Sequence, residues 1–133
     1  MTETAATESG EAQADAKSER KPPKGYVAES FRVATFDATR FGLGVLTLDE
    51  PTQGRVAAWN RAQAEDPAKS APLLLRAIVR RFSVAGQPKP EDSAEKWIAW
   101  YDELPVGAAR VLRAVADYYA DALVRGIDAE GNG

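Results

Sequence analysis

Any chemistry done by this chain has to be done without histidine or cysteine, because its 133 residues contain neither. Imidazole general bases, thiolate nucleophiles, disulfides and nearly every type of zinc site are removed together. What remains is carboxylate acid–base work, a Lys or Tyr base, or an oxygen-ligated Mg²⁺ or Ca²⁺. Glu91, Asp92 and Glu95, with Asp102 and Glu103 further on, are the candidate carboxylates. Catalysis or metal binding would need them in a desolvated cleft at fixed separations. Their spacing places them at the start and end of a predicted helix instead, where Glu91, Asp92 and Glu95 favour the positive end of its dipole. There is no DxDxDG calcium loop. Gly42 and Gly44 in FGLGVL make half of a phosphate-binding fingerprint, but the third glycine, the following helix and a Walker lysine are missing. A hairpin turn that needs positive φ accounts for them. The expectation is a protein that is not an enzyme and that needs no cofactor and no metal.

Side chains suited to binding are better represented. Trp97, Trp100, Tyr101 and Leu104 fall on one predicted helix, and Tyr118 and Tyr119 on the next. Core packing is the ordinary use of such rings. A domain of about one hundred residues can bury only some of them, so an edge of the cluster is a candidate partner groove. Arg76, Arg80 and Arg81 form a basic edge beside an apolar helical stripe, with Arg76 and Arg80 one turn apart. They are candidate rim residues for an acidic partner or phosphate, although a solvated helix face is their more ordinary use. With 17 basic and 20 acidic residues the net charge is −3, which argues against a nucleic-acid partner.

The elements that must carry these residues follow from the pattern. Residues 1–25 hold no large apolar side chain after Met1 and read as a disordered tail, acidic first and basic towards Lys24. No signal peptide and no membrane span is readable, so a soluble cytoplasmic protein is expected. Residues 26–133 are expected to form one α-rich α+β domain. It opens with a β-hairpin between Tyr26 and Leu48, where Phe31, Val33, Phe36, Phe41, Val45 and Leu46 alternate with turn formers. About four helices follow. The first is capped by Thr47 or Asp49, has Pro51 in its first turn and carries Val56, Trp59, Asn60 and Gln63 on one face. The second spans 71–82, with Leu75, Ile78, Val79 and Phe82 at i, i+3, i+4 and i+7. The loop SVAGQPKPEDS leads to a third helix over 94–104. A fourth over 106–125 has the stripe Leu112, Val115, Tyr119 and Leu123, with Gly126 as its C-cap.

Two segments add a family resemblance. A strand running into TLDEPTQGRV, from Leu48 to Gly54, precedes the apolar helix LLLRAIVRRF. The run AEKWIAWYDELPVGAARVLRAVADYY has an ELP break at Glu103 to Pro105. Over Val33 to Val124 this order resembles the small tail assembly chaperones of long-tailed bacteriophages and prophages. The resemblance implies a non-enzymatic protein that binds the helical tape measure protein during tail assembly and is absent from the finished particle. Residues 1–25 have no counterpart in it, and the family motif specifies no site residues. From amphipathicity, the 97–104 helix and the last helix are the expected groove walls, and Arg76, Arg80 and Arg81 the charged rim. Self-association through exposed apolar surface is a further expectation. The competing readings are a structural tail or connector protein of the particle and a small helical DNA-binding regulator.

Overall fold

The computed structural model describes residues 21–82 and 89–132. Residues 1–20 of the expected tail and 83–88 of the Gly-Pro loop lie outside the described residues. The folded unit begins slightly earlier than Tyr26. Tyr26 N–H donates to Pro23 O at 3.0 Å, and Gly25 O accepts from Asp37 N–H at 3.0 Å. Gly25 takes a φ of +93°, which glycine adopts without strain.

Four strands form one antiparallel sheet in sequence order: β1 (Tyr26–Ala28), β2 (Ala34–Asp37), β3 (Val45–Leu48) and β4 (Val79–Phe82). Registers Ala34↔Leu48 and Phe36↔Leu46 place four apolar side chains on one face, all buried. The intervening row, Val27, Thr35, Thr47 and Arg81, crosses the opposite, solvent-facing side. This alternation is what a sheet with one wet face requires. The β2–β3 turn uses Gly42 and Gly44 at φ +80° and +73°, so both glycines serve the turn.

The expected two-strand hairpin is thus extended on both sides, and β4 comes from residues expected to be helical. Helix α2 (Ser70–Ile78) stops at Ile78, whose carbonyl accepts from Asp49 N–H at 2.8 Å. Val79 turns to extended geometry, and β4 pairs with β3 with a register shift at Thr47/Leu48. The apolar spacing that suggested another turn of helix serves the edge of a sheet equally well, and pairing with β3 decides between them.

Helix α1 (Gln53–Glu65) is capped by Thr52, whose side chain accepts from Arg55 N–H at 3.4 Å; Thr47 and Asp49 lie upstream of the cap and Pro51 outside the helix. Five of nine residues in α2 are buried, Pro72, Leu74, Leu75, Ala77 and Ile78, so this helix runs through the middle of the fold. Ser93 caps α3 (Ala94–Asp102) by accepting from Lys96 N–H at 3.1 Å. After the ELP break, α4 (Val106–Asn132) runs for 27 residues and passes straight through Gly126. Gly126 is not a C-cap. A Cβ there would overlap the Phe31 ring, so glycine at this position seats an aromatic side chain against the helix backbone. The inward sheet face, α2, Trp97 of α3 and Leu112, Val115, Tyr119 and Leu123 of α4 form one core.

Candidate functional site

The aromatic cluster on α3 and α4 points inward. Trp97 is 1% exposed and Tyr119 fully buried, which removes both from any docking surface and corrects their expected place in a groove wall. Trp97 meets Trp100 edge to face at 5.4 Å between ring centres, and Phe82 of β4 lies 6.4 Å from Trp97 and 5.6 Å from Trp100. The strand that sequence periodicity reads as helix is therefore what covers the tryptophans. Tyr119 donates its hydroxyl to Arg32 O at 2.5 Å, and burial, more than the nearby Asp49, raises its pKa. Tyr101 bridges the ELP break by donating to Ala109 O at 2.9 Å; burial raises its pKa too. Leu104 is half-buried against the core. Tyr118 packs edge to face on Tyr26 at 4.9 Å, and burial with the neighbouring Tyr118 pushes Tyr26 up to about 12.

The arginines are also mostly occupied. Arg76 pairs with Asp92 at 3.1 Å, sharing that carboxylate with Arg55 at 2.5 Å. Arg55 in turn donates to Arg76 O at 3.2 Å, near the end of α2. The Arg55 contact, then Arg76, holds the Asp92 carboxyl below the usual carboxylate range. Arg80 donates to Ala77 O at 3.2 Å and to Glu50 O, and lies 3.9 Å from Asp49. Arg81 is exposed on the outer sheet face opposite Thr47. Because α2 ends at Ile78, Arg76 and Arg80 belong to different elements and do not project together as one basic edge.

The open apolar surface lies elsewhere. Helix α1 packs on α2 but stands off from α4, leaving a groove. Leu74, Ala77 and Ile78 of α2 form its floor. Val56 and Trp59 of α1 form one wall, Ala120, Leu123 and Val124 of α4 the other, and Pro51 closes an end. The groove holds about 90 Å³ and has no polar lining. A dry cavity of roughly 150 Å³ takes a benzene, so this one suits a single branched aliphatic side chain. Trp59 is fixed by donating its indole N–H to Ser70 Oγ at 3.2 Å. A shallower cleft continues along α4 past Asp117, Ala120 and Asp121. On that flank Val124 is 56% and Ile127 39% exposed, although both are large and apolar.

The sequence did carry a trace of this site. Val56 and Trp59 share a face of a helix whose only other apolar side chains are alanines. Val124 and Ile127 broaden the apolar stripe of α4 beyond what its core contacts use. That widening is the signal which a search for aromatic side chains passes over.

Among the described residues no group of three or more acidic side chains is arranged to hold a metal ion, and no helix is long and apolar enough to cross a membrane. Comparison with protein-family models, curated proteins and solved structures gives no match.

Proposed function

We propose that this chain is a non-enzymatic assembly factor of the tail assembly chaperone kind, which shelters an apolar helix of a tape measure protein in the groove between α1 and α4. The observation that carries this reading is the apolar groove itself, with Val124 and Ile127 left uncovered beside it. Amphipathic helices are held in this way: their apolar face fills a hydrophobic groove through anchors spaced at i, i+3, i+4 and i+7. Each square ångström of apolar area covered contributes about 25 cal/mol, and a shallow groove keeps the total small enough for release. The resemblance of Leu48–Gly54 and Glu103–Pro105 to that family supports the reading independently of the groove, and Pro51 of the first motif lines the groove. The work would be done in the cytoplasm of a bacterial host. Engagement of Arg76 and Arg80 within the fold disfavours a phosphate-binding role.

The test is co-expression of the full chain with the long helical protein encoded beside it. Wild-type chain should co-purify with that protein, and Val124→Asp, still folded by circular dichroism, should not. Failure of the wild type to co-purify, or capture undiminished by Val124→Asp, would sink the reading. Mass spectrometry of purified particles separates an assembly factor, which is absent from them, from a structural tail component, which is retained.

A further inference from the structure

Helix α4 runs past its own stop signal. Beyond Arg125 the chain reads GIDAEGN, in which Gly126 and Gly131 are poor helix formers. Asp128 and Glu130 add negative charge where the helix dipole is already negative, and no basic residue stands in the last turn to offset them. Local preference alone would end the helix at Gly126. It continues to Asn132. The loop between β1 and β2, residues 29–33, supplies the missing support. That loop is braced internally: Ser30 Oγ accepts from Arg32 N–H at 3.1 Å and from Val33 N–H at 3.2 Å, and Val33 O accepts from Glu29 N–H at 2.9 Å. Gly126 and Glu130 are four residues apart and so share one row of the helix. Phe31 lies against the Gly126 backbone, and Arg32 donates to both Glu130 oxygens, at 3.0 and 2.5 Å. Glu50 accepts from the same guanidinium at 3.0 Å and aims it from a second side.

We infer that Gly126–Asn132 is a conditional helix, helical while Phe31 and Arg32 hold it and uncoiled when they let go. Its two states lie close in free energy, because weak helical preference is opposed by one ring contact and one exposed ion pair. Segments of this kind open without unfolding the rest of a protein. The consequence for binding rests on the groove reading. With the segment uncoiled, α4 stops at Gly126, Ile127 leaves the helix and Val124 falls in a fraying last turn. Val124 and Gly126 are two residues apart, so they project from opposite sides of α4. The β1–β2 loop therefore sets the rigidity of the groove wall from the far side of the helix.

The experiment is amide hydrogen exchange on the full-length chain, read residue by residue by NMR. In Arg32→Ala the amides of residues 127–132 should exchange about fivefold faster, the factor that an exposed ion pair at its strongest supplies, while those of residues 112–123 keep their protection. Asp128→Lys combined with Gly131→Ala gives the segment a helical preference of its own, and a methyl at residue 131 meets no neighbour. Added to Arg32→Ala, this pair should restore the protection. Exchange of residues 127–132 unchanged by Arg32→Ala would make the helix end autonomous and overturn the inference. So would protection lost evenly along all of α4, or a failure of the added pair to restore it. In co-expression, Arg32→Ala should capture the helical partner several-fold less than the wild type, and the restored chain should recover it. Capture unchanged while protection is lost would detach the conditional helix from binding. Failure of the wild type to capture anything would remove the groove reading and leave the exchange result standing.

Discussion

The α3 aromatic cluster and the α1/α4 groove are built from similar material and end in opposite states. Trp97, Trp100 and Phe82 close on one another across α3 and β4, whereas Val56, Trp59, Ala120 and Val124 face one another with space between. The difference is whether a third element arrives to fill the gap. Beside α3, β4 supplies Phe82. Beside α1, nothing among the described residues covers the groove. A rich supply of aromatic rings thus marks where the chain buries surface within itself, and a modest aliphatic flank marks where surface is left over.

The largest effect that would sharpen this contrast is at Trp97. Replacing it by Ala should cost about 3–5 kcal/mol, read as a lower midpoint in urea unfolding; a Trp97→Ala chain that stays stable but loses partner capture would return α3 to the binding surface. Gly126→Ala comes next. Its methyl would strike Phe31, and overpacking of this kind costs about 1–3 kcal/mol, against a gain in helix propensity of about 1 kcal/mol, so thermal melting should show a net loss. An unchanged or raised melting temperature would mean that Phe31 moves aside freely.

Smaller again is Asp92→Asn, which removes a carboxylate shared by two arginines at a largely exposed site and should cost about 0.5–1 kcal/mol. The sign with pH follows from its depressed pKa. The contribution is complete above the ordinary carboxylate value of about 3.9 and is lost as pH falls through the lower folded value. Acid titration of the variant should therefore show a smaller loss of stability below about pH 4 than the wild type. Last in stability is Val124→Asp, expected to stay within about 0.5 kcal/mol while abolishing capture. That pairing of an intact fold with lost binding is the opposite of the Trp97 result, and the two variants together decide which region meets a partner.

Much of the fold was legible because it is encoded locally. The α4 stripe, the stop before Pro105 and the turn at Gly42 and Gly44 each follow from a few neighbouring residues. What was not legible depends on partners distant in sequence. Residues 79–82 satisfy helical and strand periodicity alike, and only β3, some thirty residues earlier, decides in favour of the strand. Gly126 has the look of a helix stop until Phe31 is placed on it. Arg76, Arg80 and the α3 tryptophans looked available because nothing local announces Asp92, Glu50 or Phe82 as their neighbours. The groove was the hardest to read, being defined by a separation between α1 and α4 that no single segment contains.

The seat of Phe31 on Gly126 belongs to a wider clasp. Arg32 bridges Glu50 at 3.0 Å and Glu130 at 2.5 Å, while Tyr119 holds the Arg32 carbonyl. This clasp braces, from behind, the same turns of α4 that present Val124 and Ile127. It joins residues 98 apart in sequence, so during synthesis it can close only after Glu130 has left the ribosome. The brace behind the groove wall is thus a long-range contact, bought with the loop-closure entropy of nearly the whole described fold, and it forms only in a chain whose sheet and last helix have already met.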